Sequence, residues 1–469
     1  MQAHTAAWFA AAKRHLINFI TAALMITCPP CAMGADFVLL QQAQVPPPPW
    51  DTHHYLNIAY AGPSSKGGVL IAGRQGDSRS WTFYVSSAMH LDWSKIIEQG
   101  WPSYGAVAIT DSRNGGFWVV GYGQTIDTQQ EERKSGGNMR WMKIRGAVAF
   151  DYVSHLDEAG RLLWQRALFT GASHRIYCVK EGSDGLFVSG YDSLPAIDDG
   201  GAPGHTSISI YVPWVAKLGK QGNVLWERRV ATDDEPILIS ASNPVPTCTG
   251  LEAGDDGGVT IAAVVEQIES AKRGPDGLYV PAQYERHISS KGTLIAKFDG
   301  AGNELHAIKL DSKAVDKTFL FATNRGFSVV DHIRPTGDTS QVKSVLDILP
   351  AVREVVSRSG VRITDLNSDL ARLDEKNITI PPFFDRLSAV LPLRAGGYFM
   401  GGCDVDSKNS IAWITPSGSV GAIRKMDPAV GLSRCADMAL GRTDSDDVFI
   451  LFTDAPSGYN VFKIRGPSQ

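Results

Sequence analysis

One recurring pattern restricts the fold of this chain more than any other feature. It is a strand, a polar turn and a second strand, with bulky residues twelve positions apart at the two ends. The clearest copies are "WTFYVSSAMHLDW" (81–93), "YVSHLDEAGRLLW" (152–164), "WVAKLGKQGNVLW" (214–226) and "LIAKFDGAGNELH" (294–306). "LARLDEKNI" (370–378) and "IAWITPSGSVGAI" (411–423) are worn versions. A second half-motif, a glycine turn entering an alternating apolar strand, recurs in step with the first. It reads "KGGVLIAG" (66–73), "NGGFWVVGY" (114–122), "DGLFVSGY" (184–191), "DGGVTIAAVV" (256–265), "NRGFSVVDHI" (324–333), "AGGYFMGG" (395–402) and "DDVFILF" (446–452).

Gly-Gly and Asp-Gly supply the positive φ that a tight hairpin needs, and the alternation after them lets one face of each strand be buried. A further apolar stretch precedes each glycine turn, as in "YGAVAIT" and "RIYCVKE". Each repeat therefore holds two hairpins, enough for a four-stranded antiparallel sheet. Such a sheet cannot bury its own faces and must stack against copies of itself. Radial stacking of four-stranded sheets makes a β-propeller. The steps between Gly68, Gly116, Gly185, Gly258, Gly326, Gly397 and Asp447 are 48, 69, 73, 68, 71 and 50 residues. The expectation is an all-β, seven-bladed propeller over residues 51–469, with about 20 extra residues in four of the intervals.

The "D-x-x-G-x-L-x-W" character of the repeats resembles bacterial extracytoplasmic propeller repeats of the PQQ and kelch type. The resemblance covers most of residues 50–469, at the level of spacing alone. It implies a fold and no activity, because propellers host unrelated functions. A quinoprotein dehydrogenase would bring adjacent cysteines over its cofactor; no two cysteines beyond the leader are adjacent, and no cofactor is expected.

The first 35 residues read as a secretory leader: Lys13, Arg14 and His15 precede the apolar run "LINFITAALMITC", and "CAMGA" offers small residues for cleavage near Gly34 or Ala35. The run is shorter than the ~20 apolar residues a membrane span takes, so no stable span is expected after leader removal. Losing the two cations moves the formal charge from −4 to −6. No run of basic residues interleaved with aromatics suggests nucleic acid. Residues 36–50 hold "DFVLLQQAQ", a candidate strand, and the stiff "VPPPPW". The last repeat lacks a fourth strand, which residues 36–45 are expected to supply, closing the ring.

Strand order places the glycine turns on one rim and the long insertions 123–146, 192–210, 266–291 and 332–367 on the other, the top. Within the last, a segment about 339–358 has helical spacing. Binding residues are expected among the top loops, with Trp101, Tyr104, His174, Arg175 and Arg334 as candidates. A protein or glycan partner fits them, in a periplasmic or secreted assembly, inhibitor or immunity-type role. The alternative is a lyase or hydrolase of acidic polysaccharides, with His174, Arg175, Tyr177, Asp331 and His332 as base and charge stabilisers. No catalytic constellation stands out, which weighs towards binding. "DVDSKN" offers Asp404, Asp406 and Asn409 as spaced oxygen ligands, without the full calcium-loop pattern. Four cysteines remain beyond the leader, and pairing of Cys403 with Cys435 and of Cys178 with Cys248 would join neighbouring repeats on the top face. Buried free thiols are the other reading.

Overall fold

The computed structural model describes residues 38–465 apart from 46–55, 76–78, 98–102, 131–141, 169–173, 195–209, 231–236, 240–249, 269–271, 274–278, 281–287, 313–314, 334–359, 380–385, 404–408, 427–437, 443–446 and 455–457. Every described element is a strand.

Strand β1 spans Val38–Val45. The first complete sheet holds β2 (Leu56–Pro63), β3 (Val69–Gln75), β4 (Arg79–Val85) and β5 (Leu91–Ile97). The second holds β6 (Ser103–Asp111), β7 (Phe117–Gln130), β8 (Met142–Leu156) and β9 (Leu162–Leu168). The third holds β10 (His174–Glu181), β11 (Leu186–Leu194), β12 (Ile210–Leu218) and β13 (Val224–Arg229). The next is five-stranded, with β14 (Ile237–Ile239), β15 (Leu251–Ala253), β16 (Val259–Ile268), β19 (Ile288–Phe298) and β20 (Glu304–Asp311). β17 (Lys272–Arg273) and β18 (Tyr279–Val280) form a separate short ribbon. Two four-stranded sheets follow. One is β21 (Val315–Thr323), β22 (Gly326–Ile333), β23 (Gly360–Leu366) and β24 (Arg372–Thr379). The other is β25 (Arg386–Pro392), β26 (Tyr398–Cys403), β27 (Asn409–Ile414) and β28 (Val420–Lys425). The last combines β29 (Met438–Arg442), β30 (Val448–Asp454) and β31 (Gly458–Arg465) with β1, in the order β1-β31-β30-β29.

All pairings are antiparallel, and hydrophobic clusters join each sheet to the next. Ala72 and Trp93 meet Ala106 and Phe117; Val120 and Val153 meet Val188 and Trp214; Phe187 and Val215 meet Ile261 and Phe298. Ile295 and Leu310 then meet Leu320 and Val329, Val330 and Ile363 meet Met400 and Ala412, and Phe399 and Ile411 meet Leu440 and Phe462. Val461 returns to Val69, Ile71 and Phe83 of the first complete sheet, and the ring is closed. The chain is a β-propeller.

Two expectations are corrected. Six blades are four-stranded, not seven; the repeat over 237–311 builds five strands. There β14 pairs with Val265–Gln267 and β15 with Val259–Ile261 of the same strand, β16. Pro244 and Pro246 fall in the sequence between them, where each removes an N–H that a continuous strand would need. The inserted helix is not part of the described fold: no described residue is helical, and 339–358 lies outside the described residues.

The expected closing strand is β1, which runs against β31 from Val38↔Arg465 to Val45↔Tyr459. The top insertions also differ from plain loops. β7 and β8 continue into the 123–146 stretch, pairing as far as Gln130↔Met142, and β23 already begins at Gly360.

The sequence pattern has a packing origin. Trp214, 1 % exposed, packs towards the preceding sheet, while Trp226 packs towards the following one against Phe298. The interval of 12 residues carries the chain around the turn onto the neighbouring strand and presents the second bulky group to the opposite interface.

Candidate functional site

The most distinctive polar cluster lies at the top end of the second and third sheets. β7 pairs with β6 only as far as Gly123, and β9 pairs with β8 only from Asp151. Beyond these points β7 and β8 leave the sheet as a projecting two-stranded hairpin. Its root is the cross-strand pair Tyr122↔Asp151.

β10 stands beside that root. The Arg175 guanidinium lies over the Tyr122 ring, 5.7 Å from its centroid, within the range of a cation–π contact. Tyr177 donates its hydroxyl hydrogen to the Tyr191 hydroxyl oxygen at 3.1 Å, and the two ring centroids are 5.2 Å apart. Register shifts between Ile176 and Cys178, a bulge that leaves Tyr177 without a cross-strand partner on β11. Arg175, Tyr122, Tyr177 and Tyr191 are all half-buried. The cluster therefore offers one cation and three aromatic faces to the top rim.

Asp151 sits behind it, 1 % exposed. One carboxylate oxygen accepts the Ile176 N–H at 3.4 Å, and the other has no hydrogen-bond partner. Burial raises its pKa from 3.8 to about 7, with the charge of Arg175 and the Ile176 bond pulling the other way. Burial also raises Tyr177 far above the usual phenol range, reinforced by Tyr191 and Tyr122. Tyr177 is held as a phenol, suited to hydrogen bonding and stacking and unsuited to act as a base.

Arg175 and Tyr177, anticipated from the sequence, thus come together with Tyr122, Tyr191 and Asp151, which were not. The tyrosines were visible as the last residue of "NGGFWVVGY" and of "DGLFVSGY". His174 begins β10, opposite the buried Asp192, whose carboxylate pairs with Arg229. Tyr104 lies in β6.

Asp331 and His332 stand elsewhere, on β22, with the whole five-stranded sheet between them and β10. Asp331 is fully buried and accepts Thr293 Oγ1–H at 2.6 Å, Arg362 Nη2–H at 2.6 Å and Arg362 Nε–H at 3.1 Å. Arg362 also reaches the Asp311 carbonyl at 3.0 Å. His332, 2 % exposed, has Nδ1 at 2.6 Å from Asp316 Oδ1. These pairs tie β19, β21, β22 and β23 together.

Trp101, Arg334, Asp404, Asp406, Cys248 and Cys435 lie outside the described residues. Asn409 is buried, with its side-chain oxygen 4.0 Å from Cys403 Sγ. Among the described residues no group of three or more His, Cys, Asp or Glu side chains is placed to hold a metal, and no helix is long and apolar enough to cross a membrane.

No protein-family model matches the chain, and no curated protein sequence matches it. Solved structures do. BBS1N in complex with ARL6DN aligns with 93 % of this chain and 99 % of its own at 9 % identity and a TM-score of 0.42. A mutant of the Synechocystis apocarotenoid oxygenase aligns with 79 % of this chain and 72 % of its own, at 10 % identity and a TM-score of 0.39. Pyrococcus horikoshii acylaminoacyl peptidase aligns with 90 % of this chain and 53 % of its own, at 9 % identity and a TM-score of 0.43.

Proposed function

We propose that this protein is an exported propeller that binds a protein or glycan partner with its top rim. The observation that carries the reading is the cluster of Arg175, Tyr122, Tyr177 and Tyr191 at the root of the projecting β7–β8 hairpin. Half-buried tyrosines and an arginine give large, stiff contact surfaces at low entropic cost. The hairpin adds backbone donors and acceptors beyond the sheet, a surface that partner strands or loops can pair with.

Export rests on the leader-like residues 1–35 and on the extracytoplasmic flavour of the PQQ- and kelch-like repeat spacing. Disulfides belong to the same reading. Cys178 and Cys403 are buried, at 4 % and 2 % exposure, on β10 and β26. The proposed bonds are Cys178–Cys248 and Cys403–Cys435, and thiol titration before and after reduction counts them.

The test of the binding role uses two variants, Arg175→Gln and a hairpin shortened by replacing residues 124–149 with a two-residue turn. Periplasmic extract and an immobilised glycan panel are screened against the intact chain. Both variants are expected to lose the captured partner at least tenfold while keeping the melting temperature within about 3 °C. Undiminished capture by both would overturn the assignment. The lyase or hydrolase alternative gains no support from the geometry, because Asp331 and His332 are not assembled with Arg175 and Tyr177.

A further inference from the structure

Every outer strand carries a bulge at the same height near the bottom rim, where its register against the neighbouring strand slips by one residue. The extra residue is left without a cross-strand partner. It is Leu40, Leu163, Leu225, Leu305 or Leu373 in five of the sheets, and Asp92 or Gly421 in the other two. The five leucines are between 39 % and 57 % exposed. Among the described residues, the other exposed large hydrophobic side chains are Leu162 and Val224, each one position before a bulge. Exposed apolar residues scattered singly need no explanation. These lie in one row around the outer flank.

The row is widest on the second and third sheets, where Leu162 and Leu163 of β9 and Val224 and Leu225 of β13 are all exposed. Charge also differs there. Asp157 holds Arg161 at 2.6 Å, Lys66 holds Glu158 at 2.8 Å, and Arg229 pairs with Asp192. Arg166, Lys220 and Arg228 are exposed and, among the described residues, pair with no acid. Arg166 donates to the Gln221 carbonyl at 3.4 Å, and Arg228 to the carbonyls of Gly302 at 2.8 Å and Glu227 at 2.7 Å. Those bonds position the guanidinium groups without neutralising them. Glu227 is the acid left against these three cations. On β20 and β24, by contrast, Lys309 pairs with Asp311, Arg372 with Glu375 and Lys376 with Asp374.

β13 pairs with β12 alone, so its other side is an open edge. Beyond the bulge, Trp226–Arg229 keep an unbroken register, and their outward N–H and C=O groups are free to extend the sheet. Such an edge does not enter hydrocarbon, where those groups would stay unsatisfied. A twofold contact with a second copy would set the positive flank against itself. An acidic strand matches both the charge and the open backbone.

We propose that the outer flank of the second and third sheets binds an extended acidic segment of a protein partner, added as a strand along β13. Its apolar side chains would cover Val224, Leu225, Leu162 and Leu163, and its carboxylates would face Arg166, Lys220 and Arg228. The site is independent of the top-rim reading, because none of these residues belongs to that cluster.

Fluorescence anisotropy of the intact protein with a labelled nine-residue peptide of alternating leucine and glutamate tests it. This peptide is expected to bind at least ten times more tightly than its counterpart with lysine for glutamate, or than a version N-methylated throughout its centre. The double variants Leu163→Ser with Leu225→Ser, and Arg166→Gln with Lys220→Gln, are each expected to weaken binding at least tenfold. Their melting temperatures should stay within about 2 °C of wild type, since all four side chains are exposed. Arg175→Gln is expected to bind the peptide unchanged, so the flank and the top rim stand or fall separately. Equal binding of the lysine or N-methylated peptide would overturn the acidic-strand assignment. Flotation with phosphatidylglycerol vesicles that is lost in the leucine double variant would overturn it in favour of a lipid surface. No binding of the acidic peptide, or full binding by either double variant, would overturn the site.

Discussion

Trp226 of the third sheet closes over Gly302 of the next. A methyl group at Gly302 would stand 2.7 Å from the indole, and the indole N–H donates to the Gly300 carbonyl at 3.0 Å. Gly302 has φ +83°, a left-handed conformation at the turn between β19 and β20. The same relation joins Trp93 to Gly160 at 2.6 Å and Trp164 to Gly222 at 3.0 Å. Outer-strand tryptophans and the next sheet's turn glycines form one contact, repeated at three successive interfaces.

Trp226→Ala is expected to cost about 2–4 kcal/mol, below the usual upper figure for tryptophan because the side chain is only half-buried. Gly302→Ala is expected to cost at least about 1 kcal/mol from its backbone conformation alone, and more because the indole must move. Urea unfolding of the two variants checks both figures.

At the next interface both the tryptophan and the glycine are missing. His306 occupies the outer-strand position in β20, exposed and paired with Lys297 as Trp226 is with Lys217. The next turn then carries Leu370, at φ 62° and 1 % exposed. Leu370 packs with Leu310, Leu320 and Leu366, filling the interface from the turn side. Leu370→Gly alone is expected to cost about 2–4 kcal/mol, the lost burial outweighing roughly 1 kcal/mol of relieved backbone strain. His306→Trp alone is expected to clash with Leu370. The double variant should be more stable than the sum of the two single effects by about 1 kcal/mol or more, and a double-mutant cycle measures that coupling.

Asp151 gives stability a pH dependence of unusual sign. Its folded-state pKa is raised from 3.8 to about 7, so between those values the folded protein binds a proton that the unfolded chain has released. Stability from this group is therefore full below pH ~4 and is lost as pH rises towards 7, by up to about 4 kcal/mol. Asp151→Asn should remove that slope, leaving the variant more stable than wild type at pH 8 and closer to it at pH 5. Urea midpoints at the two pH values decide it, and a wild-type slope kept by the variant would be the contrary result.

Lys217 is another inter-sheet anchor. Only 3 % exposed, it reaches the Asp184 carboxylate at 2.9 Å and the Gly300 carbonyl at 3.2 Å. Lys297 makes the corresponding bond to the Ser368 carbonyl at 3.0 Å. Lys217→Met keeps the stem and removes the charge. It is expected to cost about 1–3 kcal/mol, because the Gly300 carbonyl loses a charge-assisted bond. Thermal unfolding of the variant reads the loss.

The turns were legible in the sequence wherever glycine was required, as at Gly68, Gly116 and Gly397, each at positive φ. The turns at Met89 and Leu370 carry no such signal, because burial of a side chain there compensates for an unfavourable φ. β14 was hidden by its short length and neighbouring prolines. Arg175 and Tyr177 could be named because they open a strand whose end faces the top. Asp151 could not, since its burial depends on β10 of the next sheet covering it.

Ring closure by β1 is the claim on which both rims depend, and hydrogen–deuterium exchange of residues 38–45 tests it most directly. With β1 paired along Gln42↔Phe462, Ala43↔Val461 and Gln44↔Asn460, its inward amides should exchange as slowly as those of β31, and truncation after residue 457 should release them. Exchange of 38–45 at the rate of an unstructured peptide in the intact protein would contradict the closed ring.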